Sequence, residues 1–112
     1  MARPPRFEIV ERDDRRGAML SVAGELDLST AGELSERVSG RLDEGVRELT
    51  LDLRELSFMD SSGLRLLIEL HDRARGEGWV LRLIAPRAEA AALVLRATGA
   101  DRALPFEDGP GA

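Results

Sequence analysis

Alternating apolar and polar residues open the chain. Phe7-Glu8-Ile9 alternates briefly and predicts a short strand. Met19 to Leu26 alternates for longer, with Leu20, Val22 and Leu26 on one face and Ser21 and Glu25 on the other. The charged run Arg12-Asp13-Asp14-Arg15-Arg16-Gly17 between them reads as a turn, so the pair predicts an antiparallel hairpin. From Ala31 the period lengthens. Ala31, Leu34, Val38 and Leu42 fall on one helical face, Glu36, Arg37 and Arg41 are solvated, and the helix should end near Gly45. Thr30-x-x-Glu33 has the spacing of a capping box at its start.

Val46 to Leu53 returns to alternation, with Leu49, Leu51 and Leu53 opposite Glu48, Thr50 and Asp52. A second helix, Leu64 to Arg75, carries Leu64, Leu67, Ile68 and His71 along one face. Leu66 and Leu70 widen that stripe, and Gly76-Glu77-Gly78 stops the helix. Trp79 to Ile84 is almost continuously apolar, as for a central strand. A third helix follows over Arg87 to Thr98, with Ala88, Ala91, Ala92 and Leu95 inward and Gly99 just past its end. Leu104-Pro105-Phe106 predicts a last short strand, which its proline places at an edge. From Glu107 the chain reads as a frayed tail.

The order β-β-α-β-α-β-α-β implies parallel pairing through right-handed crossovers. Polar faces on two strands put the helices mainly on one side of the sheet. The expected architecture is a single α/β domain with a mixed, mostly parallel sheet of four or five strands. Its core covers about residues 7–107, with tails at 1–6 and 108–112.

Composition narrows the function classes. At 112 residues the chain is one domain, 43% hydrophobic but only 4% aromatic, so Leu, Val, Ile and Ala must build the core. A net charge of −5 with scattered arginines and no lysine argues against direct nucleic-acid binding. There is no Cys, no apolar leader and no apolar run near the ~20 residues that cross a bilayer. A cytoplasmic protein without membrane insertion is expected. Oligomeric state stays open.

Candidate chemistry gathers at Ser57-Phe58-Met59-Asp60-Ser61-Ser62-Gly63-Leu64, where a strand hands over to a helix. A helix N-terminus presents unpaired N–H groups and a partial positive charge. A helix cap needs one oxygen, yet Asp60, Ser61 and Ser62 offer three. Gly63 in a Leu-rich first turn costs about 1 kcal/mol relative to Ala, which makes sense if another surface approaches the backbone there. Asp27 is placed alike, after a strand and before a helix. In a parallel sheet the two loops would share one edge.

Enzymatic readings fare poorly. Residue 60 is Asp, so Ser62 lacks a nucleophile elbow. The one histidine, His71, lies nine residues along the same helix. That is roughly 13 Å at the helical rise, too far for a general base. No phosphate-binding loop and no lysine are present, and the missing lysine also counts against a response-regulator receiver. No metal or other cofactor is expected.

The stretch from Leu56 to Leu64 resembles the signature of STAS-domain anti-sigma factor antagonists. Gly24-Glu25-Leu26-Asp27-Leu28-Ser29-Thr30-Ala31 resembles their first-loop motif, and Ile84-Ala85-Pro86 and Thr98-Gly99-Ala100-Asp101 match later landmarks more loosely. The resemblance implies a binding module rather than an enzyme. A partner anti-sigma factor with serine kinase activity would phosphorylate Ser62, with Ser61 as the fallback acceptor. The unphosphorylated form would capture that partner and free a sigma factor, and a metal-dependent serine phosphatase would restore it. The implied partner-binding residues are Asp27 and Thr30 in the first loop and Met59, Asp60, Ser61, Ser62, Gly63 and Leu64 in the second. Arg65 departs from the pattern by adding a positive charge. An alternative, also from resemblance, is a STAS scaffold subunit of a stress-signalling assembly or a lipid transporter.

Overall fold

A computed structural model describes residues 7–107; the expected tails at 1–6 and 108–112 lie outside the described residues. Strands β1 (Glu8–Asp14) and β2 (Gly17–Leu26) form the antiparallel hairpin, closing at Asp14↔Gly17. The turn is therefore only Arg15-Arg16, and most of the predicted charged turn is strand. Alternation continues, but in ions. Ile9, Glu11 and Asp13 share a face, and Glu11 and Asp13 pair with Arg37 and Arg41 of helix α1 (Leu28–Asp43). The ladder to β2 holds that strand, and its outer half offers α1 charges where apolar residues were the expected signal.

Strand β3 (Glu48–Met59) pairs in parallel with β2 on one side and with β4 (Val80–Ile84) on the other. It runs six residues beyond the predicted end at Leu53. Against β2, register shifts fall between Ser21 and Ala23 and between Gly24 and Glu25. At each shift β3 spends one residue more than β2, as a bulge does. The buried positions consequently run Leu53, Leu56, Met59, and strict alternation disappears from the sequence.

Helix α2 (Ser61–Glu77) ends at Gly78, which has φ 78°. Its buried stripe is Gly63, Leu64, Leu66, Leu67, Leu70 and Ala74, so Ile68, expected inward, is exposed. Helix α3 (Glu89–Thr98) buries Ala91 and Leu95, while Ala88 and Ala92 are half-buried. A short helix α4 (Ala100–Ala103), not foreseen, leads to β5 (Phe106–Glu107). Glu107, read as tail, is thus the end of an edge strand parallel to β4. Pro105 has no N–H to give the ladder, but its carbonyl accepts from Leu83 at 3.0 Å.

The sheet order is β1-β2-β3-β4-β5, mostly parallel as expected, with β1 antiparallel at one edge. Leu20, Leu51 and Leu83 stand in one row of partners, all fully buried. They belong to one contiguous core with Leu34 and Val38 of α1, Leu67 and Leu70 of α2, and Leu95 of α3. The other face of the sheet is polar. Asp52 there accepts from Arg54 Nε at 2.9 Å and Nη2 at 2.8 Å, and Arg82 bonds Glu48 at 2.7 Å. Asp52 is nevertheless buried beneath its neighbours, at 6% exposure. The Arg54 guanidinium holds the Asp52 carboxyl below the usual range, against an opposing push from burial.

Candidate functional site

The last pair of the β2–β3 ladder is Leu26↔Met59. The next residue of each strand is an aspartate, and each caps a helix: Asp27 for α1 and Asp60 for α2. The two loops therefore sit side by side, as parallel pairing predicted, and the Asp60 N–H donates to the Leu26 carbonyl at 3.3 Å.

At the first loop the capping box forms one turn earlier than expected. Asp27 Oδ1 accepts from the Ser29 N–H at 2.9 Å, and Thr30 Oγ1 accepts from the Asp27 N–H at 2.9 Å. Thr30 is therefore the closing member of the box and not its start, because the helix begins directly after the strand's final pair. The Ser29 hydroxyl also donates to Asp27 at 2.7 Å. That hydroxyl is the main reason the Asp27 carboxyl is held below its ordinary range, with the Ser29 and Thr30 groups adding to it and desolvation opposing.

At the second loop Asp60 Oδ1 accepts from the N–H groups of Ser62, at 2.8 Å, and Gly63, at 3.2 Å. Of the three oxygens that the sequence offers as a cap, Asp60 is the one used, and these two helix-end donors are taken. Ser61 is exposed and Ser62 half-buried at the open end of α2. Gly63 explains itself from within the molecule. A Cβ there would stand 2.7 Å from the Leu26 carbonyl oxygen and 2.8 Å from Met59 Cγ. The close surface is the end of the chain's own sheet.

Of the eight residues expected to bind a partner, Asp27, Thr30, Asp60, Ser61 and Ser62 reach the surface. Met59, Gly63 and Leu64 are buried and support the loop from beneath. The structure adds residues that the motifs did not name. A cleft of about 510 Å³ opens between the starts of the two helices. Leu28, Ala31, Gly32 and Ser35 of α1 form one wall, and Ser61, Ser62, Arg65, Leu66 and Glu69 of α2 form the other. Leu28 is 81% exposed, a large apolar side chain left in water at the cleft's edge. Gly32 has no neighbour within 4 Å of a would-be Cβ, so no internal packing demands a glycine there. The available signal was that Leu28 falls off the Leu34-Val38-Leu42 stripe. His71 is half-buried farther along α2. Among the described residues no three His, Cys, Asp or Glu side chains are grouped to hold a metal.

The family model described as "Mlab, STAS domain" matches residues 9–105. The chain is a STAS-domain protein. No curated protein matches its sequence. Among solved structures, this STAS domain is similar to an anti-sigma factor antagonist from Mycobacterium paratuberculosis, at 24% identity and TM-score 0.78, over 90% of this chain and 85% of that one. It is also similar to the anti-sigma factor antagonist SpoIIAA in its unphosphorylated form, at 21% identity and TM-score 0.73, covering 95% of this chain and 90% of that one. The phosphorylated form of SpoIIAA, a Bacillus cell fate determinant, aligns at 22% identity and TM-score 0.68, over 95% and 93% of the two chains. At these identities the likeness establishes a shared fold. Among the described residues no helix is long and apolar enough to cross a membrane.

Proposed function

We propose that this STAS domain is an anti-sigma factor antagonist, a binding module switched off by a phosphoryl group on Ser62. The observation that carries the reading is the position of Ser62. It lies at the mouth of the α1–α2 cleft, next to the Asp60 cap and beside the loop that holds Asp27. SpoIIAA, which shares the fold, is known in phosphorylated and unphosphorylated forms.

In the unmodified protein a partner meets neutral hydroxyls, the exposed Leu28 and an open cleft. A phosphate adds about −1.5 to −2 charges at that point. Asp60 already occupies the nearest backbone donors, so the new charge joins an acidic rim. The helix dipole offsets part of the cost, and the fold survives. A docked partner built for an alcohol would have to desolvate that charge and make room for its oxygens, costing several kcal/mol. About 1.4 kcal/mol is tenfold in affinity, so that cost is enough to release the partner.

The partner in this reading is an anti-sigma factor with serine kinase activity. It transfers the γ-phosphoryl of ATP to the Ser62 oxygen, with loss of the hydroxyl proton, and a metal-dependent serine phosphatase reverses the mark. The domain itself performs no catalysis. Binding of Ser62→Ala and Ser62→Asp proteins to the anti-sigma factor tests it. The alanine form should bind as tightly as the parent and the aspartate form at least about tenfold more weakly. Equal affinities would leave only a scaffold role in another assembly.

A further inference from the structure

We propose that Arg65 is the built-in cation for a phosphate on Ser62, clasping it within α2 so that the modified state is an ordered ion pair rather than a free charge. The inference rests on the Ser62 switch above and adds the residue that would receive its product.

Three observations lead to it. First, Asp60 holds the Ser62 and Gly63 N–H groups, so these two helix-end donors are already taken when a phosphate arrives. Second, Arg65 lies three residues after Ser62 on α2 and lines the same cleft. Side chains three apart on a helix are neighbours. Third, Arg65 is exposed and makes no ion pair among the described residues, although most arginines there do.

A planar guanidinium matches phosphate oxygens in a two-pronged contact, and the phosphate's charge exceeds that of any competing carboxylate. The competing carboxylates are Glu69, on the α2 wall itself, and Asp27 and Asp60, the caps of the two helices that form the cleft. Both aspartates are committed to backbone N–H groups. Glu69 lies four residues after Arg65, and no ion pair joins them among the described residues. The clasp would withdraw the phosphate from phosphatase attack and place it against the cleft wall that a partner would otherwise use.

The test is a phosphorus NMR titration of full-length protein carrying phosphoserine at position 62, installed by semisynthesis. The second ionisation of the phosphate should have its midpoint about 0.3 pH units lower in the parent than in Arg65→Gln, with Arg65→Lys between them. The difference should shrink in ~1 M salt. Coincident midpoints in the parent and Arg65→Gln proteins would overturn the clasp. A larger displacement with the phosphoserine at position 61 would overturn the choice of Ser62. Because no kinase is involved, the result is independent of the partner-binding test. The clasp can fail while the switch holds, and the switch can fail while the clasp holds.

Discussion

The carbonyl oxygen of Leu26 stands 2.7 Å from the place a Cβ on Gly63 would occupy. The first turn of α2 is thus pressed on the end of β2. Gly63→Ala should destabilise the domain by about 1–3 kcal/mol, because a backbone carbonyl cannot move aside as a side chain can. Alanine is intrinsically the better helix former by about 1 kcal/mol, so helix propensity alone predicts the opposite sign. Urea unfolding decides: a lowered midpoint at constant slope supports the packing, and a raised one refutes it.

Asp60 should matter twice. As the N-cap of α2, its replacement by alanine should cost about 0.5–2 kcal/mol, and asparagine should restore most of that. In the proposed switch, Asp60 also adds to the acidic rim. Adding Asp60→Asn to Ser62→Asp should therefore recover part of the lost anti-sigma factor affinity. A double-mutant cycle with no coupling between positions 60 and 62 would show that the rim charge plays no part.

Asp52 tests the polar face of the sheet. Its carboxyl is depressed in the fold mainly by the Arg54 hydrogen bonds. A depressed carboxyl contributes stability that is fully present above its unfolded value, about pH 4, and is lost as pH falls through the folded value. Asp52→Asn should lower stability by about 1–3 kcal/mol at neutral pH, and the gap to the parent should begin to narrow below about pH 4. Thermal melts at pH 7 and pH 3 measure it. A gap that stays constant across that range contradicts the pairing.

Leu28 separates fold from function. At 81% exposure it contributes little to the core, so Leu28→Ala should shift unfolding by less than about 0.5 kcal/mol. Anti-sigma factor binding should weaken roughly tenfold if the cleft edge is a contact anchor. Unchanged binding, measured by calorimetry, would remove Leu28 from the proposed interface.

Much of this was legible in the residues alone. Alternation located β2, an almost continuous apolar run located β4, helical spacing located all three longer helices, and glycines marked the ends of α2 and α3 at Gly78 and Gly99. Those signals are local: each depends on which face a residue takes within its own element. Asp27 and Asp60 could be paired from the sequence because parallel strands bring their C-terminal ends to one edge.

Tertiary structure decided what depends on register and on the space between elements. Two bulges in β3 turned a period of two into Leu53, Leu56, Met59, and no window of sequence shows which neighbour imposes such a shift. Pairing with β2 extended β1 through residues that look like a turn, and α1 supplies arginines to its charges. Only the packed helices made a cleft from Leu28, Gly32 and Ser35 facing Ser62 and Arg65, because a groove belongs to two surfaces and is written in neither. Glycine at position 63 was visible at once as a demand for room; that the demand comes from Leu26, thirty-seven residues earlier, needed the fold.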